Sequence, residues 1–177
     1  MSYFVEEFDR IDFKNCKRLV TKEAVRKRAT QRLYLTDTYQ MSLPWTASRV
    51  LQIEHESTDP TSQKYAILLD ATIMHPQGGG QPSDKGILKT GDSEFHVEKV
   101  ENRGDKVWHI GYFMGDERKG FRVGVHVKSK IDGERRAHNA RNHSAGHLLD
   151  EAIQNLGLTH LKQIKGYYYP NRPYVEF

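Results

Sequence analysis

Residues 94–113 read EFHVEKVENRGDKVWHIGYF, and this stretch gives the clearest indication of the fold. Phe95 and Val97 alternate with charged neighbours, which is typical of a strand with one buried face. A second strand is predicted over 106–112, and the turn residues at 103–105 separate it from the first. The stretch therefore predicts two neighbouring antiparallel strands.

Similar short runs of β-branched and aromatic residues occur on both sides of this stretch, with turn residues between them. They predict further strands over 32–36, 49–54, 64–69, 86–89 and 121–127. Because no helical pattern separates these runs, the middle of the chain is predicted to form a small antiparallel barrel or sandwich.

The pattern changes to that of a helix over 134–156, where Gly146 is the only glycine and no proline occurs. Apolar residues recur there at helical spacing, namely Ala145, Leu148, Leu149, Ala152, Ile153 and Leu156. Gly157 is a natural stop. Strands are predicted over 167–169 and 174–177, so the fold class is predicted to be α+β, with a second domain that begins near Asp132.

The composition excludes several classes of protein. The 177 residues include 27 Lys+Arg and 23 Asp+Glu, a formal net charge of +4, and one cysteine, Cys16. No apolar run approaches the roughly 20 residues that a membrane helix needs. A single cysteine excludes an intramolecular disulfide and any Cys-x-x-Cys motif. With no secretory or transit pattern at the N-terminus, a cytoplasmic location without membrane contact is expected.

The positive charge is concentrated between residues 14 and 32, where eight basic residues face one acidic residue, Glu23. Such a run can neutralise phosphates, although a solvated helix face or a mobile arm has the same composition. A weak helix is predicted over 21–30. The nucleic-acid contacts predicted in this run are Lys22, Arg26, Lys27 and Arg28.

Two histidines on the predicted helix could carry chemistry. A spacing of four places His143 and His147 on one side of the helix, nearly opposite the apolar residues and beside Asp150. Such a pair can hold zinc, whereas two exposed histidines on a polar face are the alternative. A zincin peptidase is not expected, because Ser144 stands where that motif has its glutamate.

The second candidate segment is HPQGGGQPSDKG at 75–86, directly after a predicted strand. Its glycines 78–80 permit close backbone approach to a ligand. It lacks the Gly-Lys-Ser/Thr of a Walker loop and the spacing of a dinucleotide fingerprint. A flexible hairpin connection is the alternative, but a linker has no need of Gln77, Gln81 and two stiffening prolines.

These motifs occur in a specific order: LDATIMHPQGGGQPSDKG at 69–86, β-like sequence, then RNHSAGHLLDEAI at 141–153. In this order they resemble the AlaX family, free-standing proteins similar to the editing domain of alanyl-tRNA synthetase. The resemblance runs from about residue 30 to 177 and includes RLYLTDTYQ at 32–40. Residues 1–29 lie outside it.

The resemblance implies a hydrolase that deacylates Ser-tRNA(Ala) or Gly-tRNA(Ala), with tRNA(Ala) as partner and zinc as cofactor. A second hydrolytic site is useful because a pocket that accepts alanine rejects glycine and serine poorly. The implied organisation is a basic N-terminal extension over 1–29 and a β-barrel-like domain with the glycine-rich loop over 30–131. The beginning of an α+β, zinc-dependent editing domain follows over 132–177.

The resemblance also implies roles for single residues. His143 and His147 correspond to the first two zinc ligands and, with Gln81, to the catalytic residues. Gln81 would face the substrate, and Gly146, where some relatives have threonine, would leave room beside the metal. Zinc with an open coordination position can polarise an ester carbonyl and bind a water molecule. The predicted substrate-binding residues are Gly78, Gly79, Gly80, Gln81 and Gly146.

One departure from the family pattern concerns the zinc ligands. The family completes its site with a Cys-x-x-x-His motif well after the helix, whereas here Cys16 is far upstream and His160 is the only later histidine. The sequence therefore predicts a C-terminally incomplete form of a longer editing protein, inactive as this 177-residue chain. The alternatives are a natural paralogue that binds tRNA or other RNA without hydrolysis, a site completed by Asp150, Cys16 or a partner chain, and a structural β-domain.

Overall fold

The computed structural model describes residues 29–37, 39–43, 48–56, 63–115 and 120–177. The predicted nucleic-acid contacts Lys22, Arg26, Lys27 and Arg28 lie outside the described residues, as do Cys16 and all but the last two residues of the predicted helix over 21–30.

The described residues form short strands, one 3-10 turn and one long helix. The 3-10 turn is Leu33–Leu35 and the helix, α1, is Gly133–Asn155. The strands are β1 Gln31–Arg32, β2 Ser42–Leu43, β3 Val50–His55, β4 Tyr65–Leu69, β5 Ala71–Thr72, β6 Gly86–Thr90, β7 Ser93–Arg103, β8 Lys106–Phe113, β9 Lys128–Ile131, β10 Lys165–Tyr167 and β11 Tyr174–Glu176.

Seven of these strands form one antiparallel sheet in the order β2-β9-β6-β7-β8-β4-β3. Its centre is the hairpin of β7 and β8, in which Arg103 pairs with Lys106 around Gly104, a glycine with φ of +67°. This confirms the strand prediction for 94–113. Two smaller sheets pair β1 with β5 in parallel and β10 with β11 in antiparallel orientation. The fold is therefore α+β with an antiparallel sheet.

Backbone hydrogen bonds also connect the edge strand β3 to the segment before β9. Val50 N donates to Val125 O at 2.9 Å, and Val127 N donates to Ser48 O at 3.0 Å. An isolated bridge between Arg49 and His126 lies between these bonds. The described residues form no continuous strand ladder there, so the barrel-like form of this domain stays a prediction.

The sheet packs apolar side chains on both of its faces. Strand β4 illustrates this alternation, because Ile67 and Leu69 belong to one buried cluster and Ala66 and Leu68 to another, which contains Trp108. A strand that is buried on both faces has a nearly continuous apolar sequence, as YAILL does here. The sheet is thereby a rigid base for the loop that follows β5.

One imidazole lies within this apolar interior. His109 of β8 is fully buried, donates from Nδ1 to Ile67 O at 3.1 Å and accepts at Nε2 from Thr72 Oγ1 at 2.8 Å. Thr72 Oγ1 in turn accepts from Met74 N at 3.0 Å. Burial lowers the pKa of His109 to about 4, so this ring is neutral at physiological pH.

Three strand predictions were wrong in part, and one of them is the strand over 167–169, of which only Tyr167 belongs to a strand, β10. Only Arg32 of the predicted strand 32–36 is extended, because Leu33–Leu35 form a 3-10 turn that Thr36 closes by donating from Oγ1 to Leu33 O at 2.9 Å. The predicted strand 121–127 is a turn around Gly124, whose φ is +94°, and the regular strand β9 begins only at Lys128. A positive φ of this size is compatible with a turn but not with a β-strand, and glycine adopts it without steric cost.

The helix prediction for 134–156 is confirmed within one residue at each end. Asp132 caps the N-terminus by accepting from Arg135 N at 3.0 Å, and Gly157 follows the last turn with φ of +77°. Five of the six predicted apolar residues are exposed in the described structure, and Leu148 and Leu156 are the most exposed leucines, at 71% and 76%. Within the described ranges, no helix is long and apolar enough to cross a membrane.

Candidate functional site

Helix α1 packs against the glycine-rich loop through its polar face. Arg136, Asn139 and Gly146 are buried, and His143 between them is half-buried. Their spacings of three, four and three residues place all of them on one side of the helix. We call this contact between α1 and residues 75–86 the polar seam.

A buried ion pair fixes the start of the polar seam. Arg136 Nε lies 3.0 Å from both carboxylate oxygens of Asp84, Arg136 Nη2 also contacts this carboxylate, and Nη2 donates to Ile73 O at 2.7 Å. Asp84 accepts in addition from His75 N at 2.7 Å. Both side chains are almost inaccessible, at 4% and 0%. A buried pair with these additional hydrogen bonds offsets much of its desolvation cost and sets the position of α1 on the loop.

Two turns further along α1, the seam brings the two predicted motifs together. His143 Nδ1 lies 2.9 Å from Gln81 Oε1, and Gln81 is only 5% exposed. A tight turn holds Gln81, since Gly78 and Gln81 exchange backbone hydrogen bonds of 3.2 and 2.9 Å. Because an amide oxygen only accepts, Nδ1 carries the proton and Nε2 of neutral His143 keeps a free lone pair.

His147 lies beside His143 on the next turn. Their ring centroids are 4.9 Å apart with an interplanar angle of 24°, and His147 is exposed. Burial lowers the pKa of His143, and the charges of His147 and His75 lower it further. The neutral ring is therefore the favoured form, which is the form that binds metals or accepts a proton.

The glycines of the loop differ in what they contact. A Cβ atom on Gly79, which has φ of +55°, would lie 3.6 Å from His143 Cε1. A Cβ atom on Gly80, which has φ of +77°, would overlap with the carbonyl of Gly166. Gly78 faces open space and forms the turn with Gln81. Glycine is thus required at 80, where backbone from the β10–β11 hairpin approaches closely.

Tyr168 is a site residue that the sequence reasoning missed. Its ring is 2% exposed and stacks on His143 with centroids 4.7 Å apart at 20°. Its backbone N donates to Gly80 O at 2.8 Å, and Gln163 Nε2 donates to its hydroxyl at 2.8 Å. Tyr168 therefore connects the hairpin to both the loop and the helix.

The ring of Tyr168 fits between three glycines, which we call the glycine slot: Gly80, Gly146 and Gly166. A Cβ atom on Gly146 or Gly166 would overlap with the ring, and one on Gly80 would lie 3.2 Å from its Cδ2 atom. The room beside Gly146, which the sequence predicted to lie next to the metal, thus contains an aromatic ring in this structure.

Other residues of the site were also not predicted. His75 opens the glycine-rich motif, packs edge-on against Tyr34 at 5.1 Å and, among the described residues, has no hydrogen-bond partner for its buried Nδ1. Burial lowers the pKa of His75, although the charge of Asp84 opposes this shift. The spacing of seven residues between Arg136 and His143 could have indicated that both lie on the same side of the helix. Nothing in the run of three tyrosines indicated which ring points inward.

The donor set supports only part of a zinc site. His143 and His147 supply two imidazoles, and the contact of His143 Nδ1 with Gln81 is typical of a ligand that coordinates through Nε2. In the part of the chain that the structure describes, no group of three or more His, Cys, Asp or Glu side chains could hold a metal ion. Asp150 therefore does not complete a metal site there, and the two histidines could fill only two of the four positions of a tetrahedral zinc site.

Comparison with known proteins identifies relatives over most of the chain. The family described as tRNA synthetases class II (A) matches residues 11–135, so it includes part of the predicted extension and ends before His143. The chain is 30% identical over 126 residues to alanyl-tRNA editing protein AlaX-L of Pyrococcus horikoshii, which covers 71% of this chain and 28% of that protein.

Two alanine–tRNA ligases match similarly. That of Paraburkholderia xenovorans is 36% identical over 116 residues, which is 64% of this chain and 13% of the ligase. That of Cupriavidus necator is 35% identical over 102 residues, which is 57% of this chain and 11% of the ligase. The chain thus spans less than a third of the length of these relatives. It belongs to the family of class II tRNA synthetases (A), together with the AlaX-type editing proteins.

Proposed function

We propose that the protein, in its complete form, is a tRNA-editing hydrolase that deacylates Ser-tRNA(Ala) or Gly-tRNA(Ala). Family membership supports this proposal, because one relative is by name an alanyl-tRNA editing protein. The observation that carries it is the 2.9 Å contact between Gln81 and His143, which joins the two motifs of the family resemblance in one site. We further propose that the reaction takes place in the cytoplasm.

The site residues would act on the ester through position and charge. Gln81 holds the proton of His143 on Nδ1, so that Nε2 presents a lone pair away from the loop. Gly78 and Gly79 leave the exposed part of the loop backbone accessible to an aminoacyl group, whereas Gly80 admits the close approach of Gly166 that holds the hairpin on the loop. We propose that Gly146 serves the substrate indirectly, by admitting the ring of Tyr168 that supports His143.

Zinc is the proposed cofactor, with His143 and His147 as two of its ligands. Bound zinc would polarise the ester carbonyl. The remaining ligands lie outside the set of residues that the structure describes. The proposed ligands can be tested without measuring hydrolysis, because the zinc content of the purified protein should fall when either histidine is replaced.

The proposed organisation follows the resemblance: an N-terminal extension over 1–29, a β-barrel-like domain over 30–131 and an editing domain that begins at 132. The seven-stranded sheet and the bonds between 48–50 and 124–127 support a barrel-like first domain. We propose that Lys22, Arg26, Lys27 and Arg28 contact the phosphates of tRNA(Ala).

The decisive experiment measures release of the amino acid from Ser-, Gly- and Ala-tRNA(Ala) by the complete protein. We expect hydrolysis of the first two in preference to the third, and loss of at least about 100-fold in rate for His143→Ala. His138→Ala is the matched control, since His138 is an exposed histidine on the same helix. Equal rates for both variants, or no hydrolysis by the wild-type protein, would contradict the proposal.

A second candidate function is a tRNA-binding or other RNA-binding module without hydrolytic activity. The absence of a third metal donor among the described residues favours it. This function requires that His143→Ala/His147→Ala binds tRNA(Ala) like the wild type, with a salt dependence that removal of residues 1–29 reduces. Hydrolysis by the complete protein would exclude it as the sole function.

A further inference from the structure

The sheet has a second buried cluster on the face opposite to its larger core, and we call it the outer cluster. Its members are only 0–9% exposed: Leu51, Ala66, Leu68, Trp108 and Ile110. Partly buried apolar side chains pack against the larger core, whereas among the described residues none packs in this way against the outer cluster. The guanidinium of Arg103 lies 5.2 Å from the centre of the Trp108 ring. Because one guanidinium cannot exclude water from five apolar side chains, the rest of the cover comes from a part of the chain outside the described ranges.

The segment before Thr30 joins the fold at the edge of the outer cluster. Thr30 is 5% exposed, and its Oγ1 donates to Leu69 O at 3.1 Å and accepts from Val107 N at 3.1 Å. These two partners are the chain neighbours of Leu68 and Trp108. The residues that precede Thr30 therefore need no long connection to reach the cluster.

The sequence of this segment contains an apolar row at helical spacing. Its members follow one another at steps of three, four and four residues: Phe13, Cys16, Val20 and Ala24. Such steps place side chains on one side of a helix. At about 100° per residue, Lys22 and Arg26 belong to the opposite side, so burial of the apolar row leaves both cations turned to the solvent. The family match begins at residue 11 and therefore includes the whole row.

The charges of the two surfaces are complementary. Arg103 lies 2.8–3.8 Å from three carboxylates at the rim of the outer cluster: Glu54, Glu56 and Glu101. Lys99 pairs with Glu101 at 2.6 Å, so two cations face three carboxylates. The run between residues 14 and 32, with eight basic residues and one acidic residue, has the opposite sign. Its charge favours approach to this rim.

We propose that residues 13–24 cover the outer cluster, with the row Phe13-Cys16-Val20-Ala24 against Trp108 and its neighbours. The basic run is then part of the folded first domain and not a free arm, and it presents Lys22 and Arg26 at fixed positions on the surface. This inference goes beyond the proposed function and does not depend on hydrolysis.

The test measures the rate at which iodoacetamide labels Cys16, the only cysteine of the chain. In the native wild-type chain we expect labelling at least about tenfold slower than in urea, because a buried thiol reacts only after local opening. Val20→Asp should abolish this protection, since a carboxylate without a partner is not tolerated against the cluster. Val25→Asp is the matched control: Val25 lies outside the apolar row, so the protection should remain.

The fluorescence of Trp108 tests the other surface of the contact, in a Trp45→Phe background that leaves one tryptophan. Val20→Asp should shift the emission of Trp108 to longer wavelength, because water reaches the ring, and Val25→Asp should not. Native labelling as fast as in urea, or equal effects of the two valine variants, would overturn the proposal. Protection of Cys16 that increases with protein concentration would also overturn it, because a second copy of the chain would then cover the cluster.

Discussion

The sheet interior and the polar seam are both buried, yet they are built from opposite kinds of residue. The sheet packs Ile67, Leu69 and Phe95 around one neutral imidazole, whereas the seam packs an ion pair, two amides and glycines. The polar seam positions the candidate site. Its hydrogen bonds are directional, so each of them fixes the distance between one residue of α1 and one residue of the loop. The apolar side of α1 contributes nothing comparable, since Leu148 and Leu156 are largely exposed in the described structure. The difference teaches that apolar packing builds this fold and polar contacts align its site.

The largest effect is expected from breaking the ion pair of the seam. Arg136→Leu leaves Asp84 buried without its partner, which should lower the free energy of unfolding by about 3–5 kcal/mol in urea titrations. Arg141→Leu, an exposed arginine on the same helix, should change it by less than about 0.5 kcal/mol. A loss of less than about 1 kcal/mol for Arg136→Leu would mean that the pair behaves like a surface salt bridge.

The next effect concerns the imidazole in the sheet interior. The pKa of folded His109 is about 4, below the ordinary 6.5, so the unfolded chain binds the proton first as pH falls. This contribution to stability is complete above pH 6.5 and is lost between pH 6.5 and 4, to a total of about 3 kcal/mol. His109→Gln should flatten the stability profile in this window, measured by urea unfolding at several pH values. His138→Gln, on the exposed part of α1, is the control for the substitution itself.

The glycine slot should respond to a single methyl group. Gly146→Ala would force the Cβ atom into the ring of Tyr168, and overpacking of this kind costs about 1–3 kcal/mol in unfolding free energy. In a Tyr168→Ala background the sign should reverse, because alanine is favoured over glycine in a helix by up to about 1 kcal/mol. Additive effects in this double-mutant cycle would show that residues 146 and 168 do not compete for the same space.

The smallest effect is expected on the exposed side of α1. Leu148→Ala should change the unfolding free energy by less than about 0.5 kcal/mol, because Leu148 is 71% exposed. Leu69→Ala, the same substitution in the sheet interior, should cost about 2–5 kcal/mol. A loss at Leu148 that approached the loss at Leu69 would reveal a packing partner for this face of the helix.

Periodic features were predictable from the sequence and contacts between distant segments were not. The alternation in 94–113 and the helical spacing after Asp132 depend on neighbouring residues alone, and both predictions were confirmed. Gly124 was overlooked as a turn residue, which misplaced the strand before β9. Pairing of His143 with Gln81, which are 62 positions apart, depends on the docking of α1, and spacing within either motif says nothing about it. The inward direction of Tyr168 depends on glycines from three separate segments.

The glycine slot also bears on how sequences of relatives should be compared. Positions 146, 166 and 168 share one volume, so a larger residue at 146 or 166 requires a smaller one at 168. Position 80 is different, because a side chain there would overlap with the backbone carbonyl of Gly166 whatever residue stands at 168. We therefore expect positions 146, 166 and 168 to vary as a set across the family, with a bulky aromatic at 168 wherever 146 is glycine. A relative with threonine at 146 should have lost the aromatic ring at 168. Substitutions at this site would then be selected for the total volume of the side chains and not for one residue at a time.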